Sequence, residues 1–405
     1  MLYAIFCNKI IDMTQPDLSK YGFTEEQQQV YDMVYRFSRD ELHPLCDRMD
    51  REDWFPEEKF RSLHEVGLLG TSISEEYGGQ GFGFLEQCFI AEAMSYWNPT
   101  FGAGWLGTDS ICAHNIVRNA SDDLKKKFLP GFCDGSIIGA LGMTEPGAGS
   151  DALGSMATTA VRDGDNYIIN GRKMFITMGP VAQVILLYAK TDPDKGPRGV
   201  SAFAFETDTP GFKVAQKLDK MGWRGIPTAE LVFDDCVVPA ANLVGAENGG
   251  VGVLMSGLNM ERVMMCFHMI GVAQRALDIS VDYAQQRKQF GKAIAEFQLV
   301  QGLLADMYTD VQSMRALSYQ LAKEVHDLEV GGGGRGEIHM RSSAAMLHAG
   351  RSLMKVVDNG VQVHGGTGYI MESEINQLYR IGKLMEIGAG TNQIRQVIIA
   401  EELLK

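Results

Sequence analysis

Four short stretches carry residues of reactive or ligand-holding type at spacings that suit a site. Met143-Thr144-Glu145-Pro146-Gly147-Ala148-Gly149-Ser150-Asp151 combines glycines with small hydroxyls. Unencumbered backbone donors of this kind approach a flat ring or a phosphate closely, although most Gly-Ala-Gly-Ser segments are turns. Arg287, followed by Phe290-Gly291 and Gln298, offers a planar guanidinium suited to bidentate phosphate contact, where an isolated arginine is usually a solvated helix cap. Thr391-Asn392-Gln393 opens the last helical run, whose free N–H groups can receive phosphate oxygens. Glu261 stands beside Arg262. On a helix surface such a pair is commonly a weak ion pair. Shielded from water, the carboxylate becomes a stronger base, fit for general-base work.

Three textures of chain must position these residues. Residues 24–135 pattern as helical: Thr24-Glu25-Glu26 opens a run with Val30, Met33, Val34 and Phe37 on one face, and a glycine-rich turn at 78–83 interrupts it. Residues 136–240 change to short β-rich runs, among them Tyr167-Ile168-Ile169, Val184 to Tyr188, Ser201 to Phe205 and Leu231-Val232-Phe233, separated by turn signals. Residues 241–405 return to helical periodicity. One stripe holds Ile270, Ala273, Leu277, Val281 and Ala284; the next holds Met307, Val311, Met314, Leu317, Leu321, Val325 and Leu328. Gly331–Gly336 reads as a linker and residues 1–23 as an N-terminal extension. The expected class is α+β, with an N-terminal all-helical domain, a middle β-sheet or barrel domain and a C-terminal four-helix bundle. No strand leads into Gly-x-Gly-x-x-Gly and a helix, which disfavours a Rossmann fold.

The 405 residues exceed one ordinary core. A net charge of −14 without a basic run argues against nucleic acid or an anionic membrane as partner. Seven scattered cysteines without a Cys-x-x-Cys pair fit buried thiols in a reducing compartment, and eight histidines show no ligand spacing, so no metal is expected. No apolar run approaches a membrane span. Met1 to Cys7 is apolar but short and lacks a preceding basic residue, and no arginine occurs before Arg36. Both points disfavour a secretory signal or a transit peptide.

The stretch Leu384-Met385-Glu386-Ile387-Gly388-Ala389-Gly390-Thr391-Asn392-Gln393 resembles the C-terminal signature of the acyl-CoA dehydrogenases, in which a Glu usually precedes Gly-Thr and takes a proton from substrate. Here Ala389 holds that position. The isovaleryl-CoA and long-chain branches of that family carry the base on an earlier helix in a Glu-Arg pair, which Leu258-Asn259-Met260-Glu261-Arg262 resembles. The resemblance runs from about residue 24 to the end and implies FAD as cofactor. Its flavin contacts fall on Leu141, Met143, Thr144, Gly149 and Ser150, and on Phe175-Ile176-Thr177, where Phe replaces the family's Trp. Arg287, Phe290 and Gln298 correspond to residues that reach the pyrophosphate and adenosine, partly across a subunit boundary. Gln362, Gly365, Gly366, Thr391 and Gln393 complete the implied cofactor set. Ser150, Asn259, Met260, Arg262 and the Ala389 backbone are implied at the substrate. Glu261 is the implied base, in preference to Glu386 and Glu145. His364 replaces an apolar residue and reads as structural.

The implied reaction is α,β-dehydrogenation of an acyl-CoA to the trans-2-enoyl-CoA, with Glu261 taking the α-proton and the β-hydride passing to flavin N5. A short branched substrate, isovaleryl-CoA above all, is implied by the resemblance of Lys217 to Gly225, Asn248 to Leu254 and Phe297 to Gly302 to the isovaleryl-CoA branch. Cys266-Phe267-His268 and Ile226-Pro227-Thr228 depart from that branch and leave a medium-chain, long-chain or unusual acyl-CoA as an alternative. An acyl-CoA oxidase and a non-catalytic acyl-CoA-binding protein are further readings. The resemblance also implies electron-transferring flavoprotein as acceptor and a homotetramer. It would place the protein in a bacterial cytoplasm or a mitochondrial matrix.

Overall fold

Thr24 opens the first long helix, α1 (Glu25–Phe37), through a reciprocal cap: its hydroxyl accepts from Gln27 N, and its own N–H donates to the Gln27 side chain. The computed structural model describes residues 15–327 and 334–405. Helices α2 (Phe84–Trp97), α3 (Pro99–Trp105), α4 (His114–Asn119) and α5 (Asp122–Cys133) follow. Between α3 and α4 the chain widens into π-helical turns over Leu106–Ala113, a local irregularity that re-aims side chains and recurs at functional sites. α2 is buried on nearly every side, because it packs against both α1 and the C-terminal helices.

The middle of the chain forms one eight-stranded sheet. Its strands are β1 (Gly139–Gly142), β2 (Thr159–Asp163), β3 (Asn166–Thr177), β4 (Val184–Lys190), β5 (Val200–Glu206), β6 (Phe212–Lys217), β7 (Thr228–Pro239) and β8 (Leu243–Val244). They run in the order β6-β7-β3-β2-β4-β5-β8, with β1 joining in parallel beside β4. β4 and β5 are buried along almost their whole length, which explains their uninterrupted apolar sequence. β6 is an exposed edge. β3 and β7 shift register between Lys173 and Ile176, and this bulge turns Phe175 outward.

The C-terminal helices are α6 (Gly250–Gln286), α7 (Gln298–Asp327), α8 (Glu337–His364), α9 (Glu374–Leu384) and α10 (Asn392–Leu403). The sequence stripes face the core, except that Leu317 is exposed and its neighbours Ser318 and Tyr319 are buried instead. Leu328 and the first half of the glycine linker lie outside the described residues, as do residues 1–14. α2 crosses α6 at Gly271, where an added Cβ would meet Glu92 O at 2.4 Å and Tyr96 N at 2.9 Å. Gly271→Ala is therefore expected to cost about 1–3 kcal/mol through backbone separation, read as a lowered thermal midpoint. Ion pairs tie the parts together: the buried Arg315–Glu92 at 3.0 Å between α7 and α2, and the half-buried Arg275–Glu374 at 2.7 Å between α6 and α9. Arg380 Nη1 donates to Asp50 at 2.8 Å, and Trp223 Nε1 donates to Ile381 O at 3.2 Å.

Among the described residues no helix is long and apolar enough to cross a membrane, and no cluster of His, Cys, Asp or Glu could hold a metal. The six described cysteines are buried free thiols.

Candidate active site

Glu261 sits three turns into α6, half-buried, facing α4 and β4. Asn115 Nδ2 donates to its Oε1 at 2.9 Å. Burial pushes its pKa above the ordinary carboxylate value, against the opposing influence of Arg118, the Asn115 hydrogen bond and Arg262. The Tyr188 hydroxyl of β4 is buried close by without a hydrogen-bond partner. Arg262 does not form a surface pair with its neighbour. It is buried, and its Nη1 donates to His339 Nδ1 at 3.1 Å. Asn259 is buried on the same side and accepts from Ser342 Oγ at 3.1 Å. Met260 turns the other way, its sulfur 3.4 Å from Arg118 Nη1.

The two rival carboxylates are already committed. Burial pushes Glu145 up, but Lys173, at 2.7 Å, and hydrogen bonds from Thr158 and Ala157 overcome it and hold the group below its ordinary value. Glu386 takes Lys383 at 2.7 Å and Asn392 Nδ2 at 3.1 Å, and its carbonyl accepts from Asn392 N. It is a brace for the loop before α10. Within that loop Ala389 is exposed and adopts φ 51°, followed by Gly390 at φ 88°. Buried Arg395 clamps the loop from beneath, donating to Met385 O at 2.9 Å and Gly388 O at 2.8 Å. Thr391 caps α10 by accepting from Ile394 N at 3.2 Å, with Gln393 exposed in its first turn.

The segments singled out for a cofactor fall into two groups. In the first, the Met143–Ser150 loop leaves β1, whose Leu141 pairs with Leu186. Thr144 O accepts from Met174 N at 2.7 Å, and Lys173 Nζ donates to Met143 O at 3.1 Å. These bonds set the glycine loop against the end of β3. There Phe175 is 65% exposed at φ 61°, Ile176 is buried and Thr177 is half-buried. Gly149 and Ser150 are open to solvent, and an added Cβ at Gly147 or Gly149 would meet nothing. The second group gathers at the far end of α6. Arg287 O accepts from Ile294 N at 2.8 Å, closing a small hairpin whose tip, Phe290, is 94% exposed. Tyr283, one turn before Arg287, stacks on His364 at 4.3 Å, and His364 Nδ1 lies 2.8 Å from Gly360 O. His364 thus has the structural partner that the sequence did not show. The stack holds Gln362, Gly365 and Gly366, all exposed, beside the Arg287–Gln298 segment.

The second group lies far from Glu261 within one chain. Glu261 and Arg287 are separated along α6 by about 39 Å at 1.5 Å rise per residue.

This arrangement can be set beside known proteins. Family profiles described as the N-terminal, middle and C-terminal domains of acyl-CoA dehydrogenase match residues 24–136, 140–236 and 248–404. The chain belongs to the acyl-CoA dehydrogenase family. Mitochondrial isovaleryl-CoA dehydrogenase of Solanum tuberosum is 40% identical, the match covering 95% of this chain and 92% of that one. Mitochondrial 2-methylacyl-CoA dehydrogenase of the same plant is 41% identical, covering 94% and 91%. The solved structure of butyryl-CoA dehydrogenase from Megasphaera elsdenii superposes with a TM-score of 0.89 at 32% identity, covering 95% and 99%.

The helical, sheet and helical order expected from sequence is that of the acyl-CoA dehydrogenases, which are FAD-dependent oxidoreductases, as this chain is. The residues present fit that cofactor. An exposed aromatic ledge at Phe175 adjoins an open glycine loop, and an exposed arginine, Arg287, stands near unobstructed glycines at 291, 365 and 366. Ring, sugar and phosphate each find a suitable surface. Sequence reasoning missed Asn115, Arg118, Tyr188 and Arg395. Only Tyr188 stands on a largely apolar element. Asn115 and Arg118 sit in a polar helical segment and take their meaning from Glu261, far away in the chain, and Arg395 takes its meaning from the loop just before it.

Proposed function

We propose that the protein oxidises a short branched-chain acyl-CoA, isovaleryl-CoA first among them, to the trans-2-enoyl-CoA, with Glu261 as base. The observation that carries this is the contrast among carboxylates: Glu145 and Glu386 are held by lysines, whereas Glu261 receives a neutral amide and has its proton affinity raised by burial. Such a group can take the weakly acidic α-proton of a thioester. The Ala389 N–H, presented by a left-handed turn, donates to the thioester oxygen as enolate charge develops. Ser150 and Met260 line the substrate's approach, and Asn259 and Arg262 brace α6 behind it. FAD, when bound, supplies the hydride acceptor. Leu141, Met143, Thr144, Gly149, Ser150 and Phe175 to Thr177 hold its ring portion. Arg287, Phe290, Gln298, Gln362, Gly365, Gly366, Thr391 and Gln393 serve its phosphate and adenosine portion.

The separation along α6 supports a homo-oligomer, a tetramer by family resemblance, in which a second copy brings its Arg287 group to the first copy's ring site. Segments 24–135, 136–240 and 241–405 are the proposed domains, and electron-transferring flavoprotein is the proposed acceptor. Adding isovaleryl-CoA anaerobically to the FAD-loaded protein is expected to bleach the oxidised-flavin band within a turnover. A second reading, a differently branched or longer acyl-CoA, draws on the 41% identity to the 2-methylacyl-CoA enzyme beside 40% to the isovaleryl-CoA enzyme and on Ile226, buried beside the Met178 end of β3. A panel of acyl-CoA thioesters ranked by bleaching rate separates the two.

A further inference from the structure

Asn115 is held in one orientation by three polar contacts. Its Nδ2 gives one hydrogen to Ile111 O at 2.8 Å and the other to Glu261 Oε1 at 2.9 Å, while its Oδ1 accepts from Arg118 Nη2 at 3.3 Å. A flipped amide would place oxygen against oxygen at two of these contacts. Arg118 has no lysine-like freedom here. Its Nε is out of solvent and unpartnered, and its guanidinium occupies the notch left by Gly257. A Cβ at that glycine would meet Arg118 Nη2 at 1.8 Å and Glu261 Oε1 at 2.8 Å. Cation, amide and carboxylate therefore share one small space on α4 and α6. The other charged or titratable groups facing Glu261 are Arg262, turned to His339, and Tyr188.

We propose that Arg118, acting through Asn115, is the positioning residue that keeps Glu261 ionised and aimed. This rests on the reading of Glu261 as the base. A base buried without a counter-charge would hold its proton at neutral pH and be unable to accept another. A counter-charge in direct contact would weaken it as a base. An intervening amide passes on part of the cation's influence, since polarised hydrogen bonds in series reinforce each other. Asn115 also fixes which carboxylate oxygen is engaged and leaves Oε2 for the substrate.

The test is the pH dependence of anaerobic bleaching by isovaleryl-CoA, run on FAD-loaded wild type, Arg118→Gln, Arg118→Lys and Asn115→Ala. Arg118→Gln is expected to move the half-maximal pH upward by about one unit, roughly a tenfold loss on the acid side that alkali restores. Arg118→Lys should return the midpoint toward wild type, because it restores charge. Asn115→Ala should move it in the same direction as Arg118→Gln, which serves if that variant does not fold. A rate lowered equally at every pH, with the midpoint unmoved, would make Arg118 a structural residue and overturn the proposal. Wild type unbleached at any pH would instead overturn the functional reading, and this inference with it.

Discussion

A Glu261→Gln enzyme is expected to retain its yellow colour and its melting temperature but to lose bleaching when the acyl-CoA is added, its rate falling by at least about 10³-fold. The replacement keeps shape, and the Gln carbonyl oxygen can still accept from Asn115 Nδ2, now 2.9 Å from Glu261 Oε1. Only the capacity to take a proton is lost. The two rival carboxylates are engaged elsewhere, Glu145 by Lys173 and Glu386 by Lys383. Water is a poor replacement, since the α-hydrogen of a thioester requires a strong base in a dry site. Stopped-flow bleaching together with flavin content decides the matter. Undiminished bleaching would return the base role to another group. A variant and wild type that both stay yellow while binding acyl-CoA would favour the non-catalytic reading.

Arg315→Leu is expected to lower stability by about 3–5 kcal/mol, because it leaves a buried carboxylate without its counter-charge. Arg315 and Glu92 meet at 3.0 Å with almost no solvent exposure, and Tyr319 donates to the second Glu92 oxygen at 2.7 Å. This cluster joins α2, α6 and α7, since Arg315 also donates to Gln274 at 3.1 Å. In the native protein, burial already raises the Glu92 pKa, with Arg315 and Tyr319 opposing it. Without the guanidinium the folded carboxyl holds its proton more tightly than the unfolded one. Stability of the variant therefore rises as pH falls, and the loss is larger at pH 8 than at pH 5. Glu92→Leu with Arg315→Leu should recover most of it. Thermal melts of wild type and the two variants at the two pH values test both statements.

The large divisions of this fold were legible because their physics is local. Uninterrupted apolar runs at Val184 to Tyr188 and Ser201 to Phe205 became the buried strands β4 and β5. Thr24 and Gln27 became the cap of α1. β6 escaped notice because an exposed edge strand, Phe212–Lys217, has no apolar stripe to betray it. Leu317 fitted its helical stripe and still points outward, while Tyr319 stacks on Phe267 at 5.0 Å in the core. Periodicity does not show where a bundle's neighbours lie. Glu261 and Ala389 were legible as a pair of departures from one family pattern. Asn115 and Arg118 were not, because the Asn115–Glu261 contact spans 146 residues and Asn115 leans on Ile111, in a π-helical segment that sequence did not suggest. The departure at Cys266-Phe267-His268 proved to be largely a matter of packing: Phe267 joins Phe89 and Tyr319, and His268 contacts Ser95 at 2.6 Å.

The left-handed turn at Ala389 has an evolutionary consequence. A residue with a side chain bears a penalty of about 1–2 kcal/mol in that conformation, so a small side chain, or none, suits the position best. With proton removal assigned to Glu261 on α6, as proposed above, the loop is left to contribute backbone shape, which Ala389 at φ 51° and Gly390 at φ 88° supply. Heredity can then alter the two duties separately. On the proposed roles, change in the loop alters how firmly the substrate's oxygen is grasped, while the acid–base partner stays fixed on a long helix. On that assignment, a substitution in the loop and a substitution on α6 are expected to perturb two different steps, each without disturbing the other.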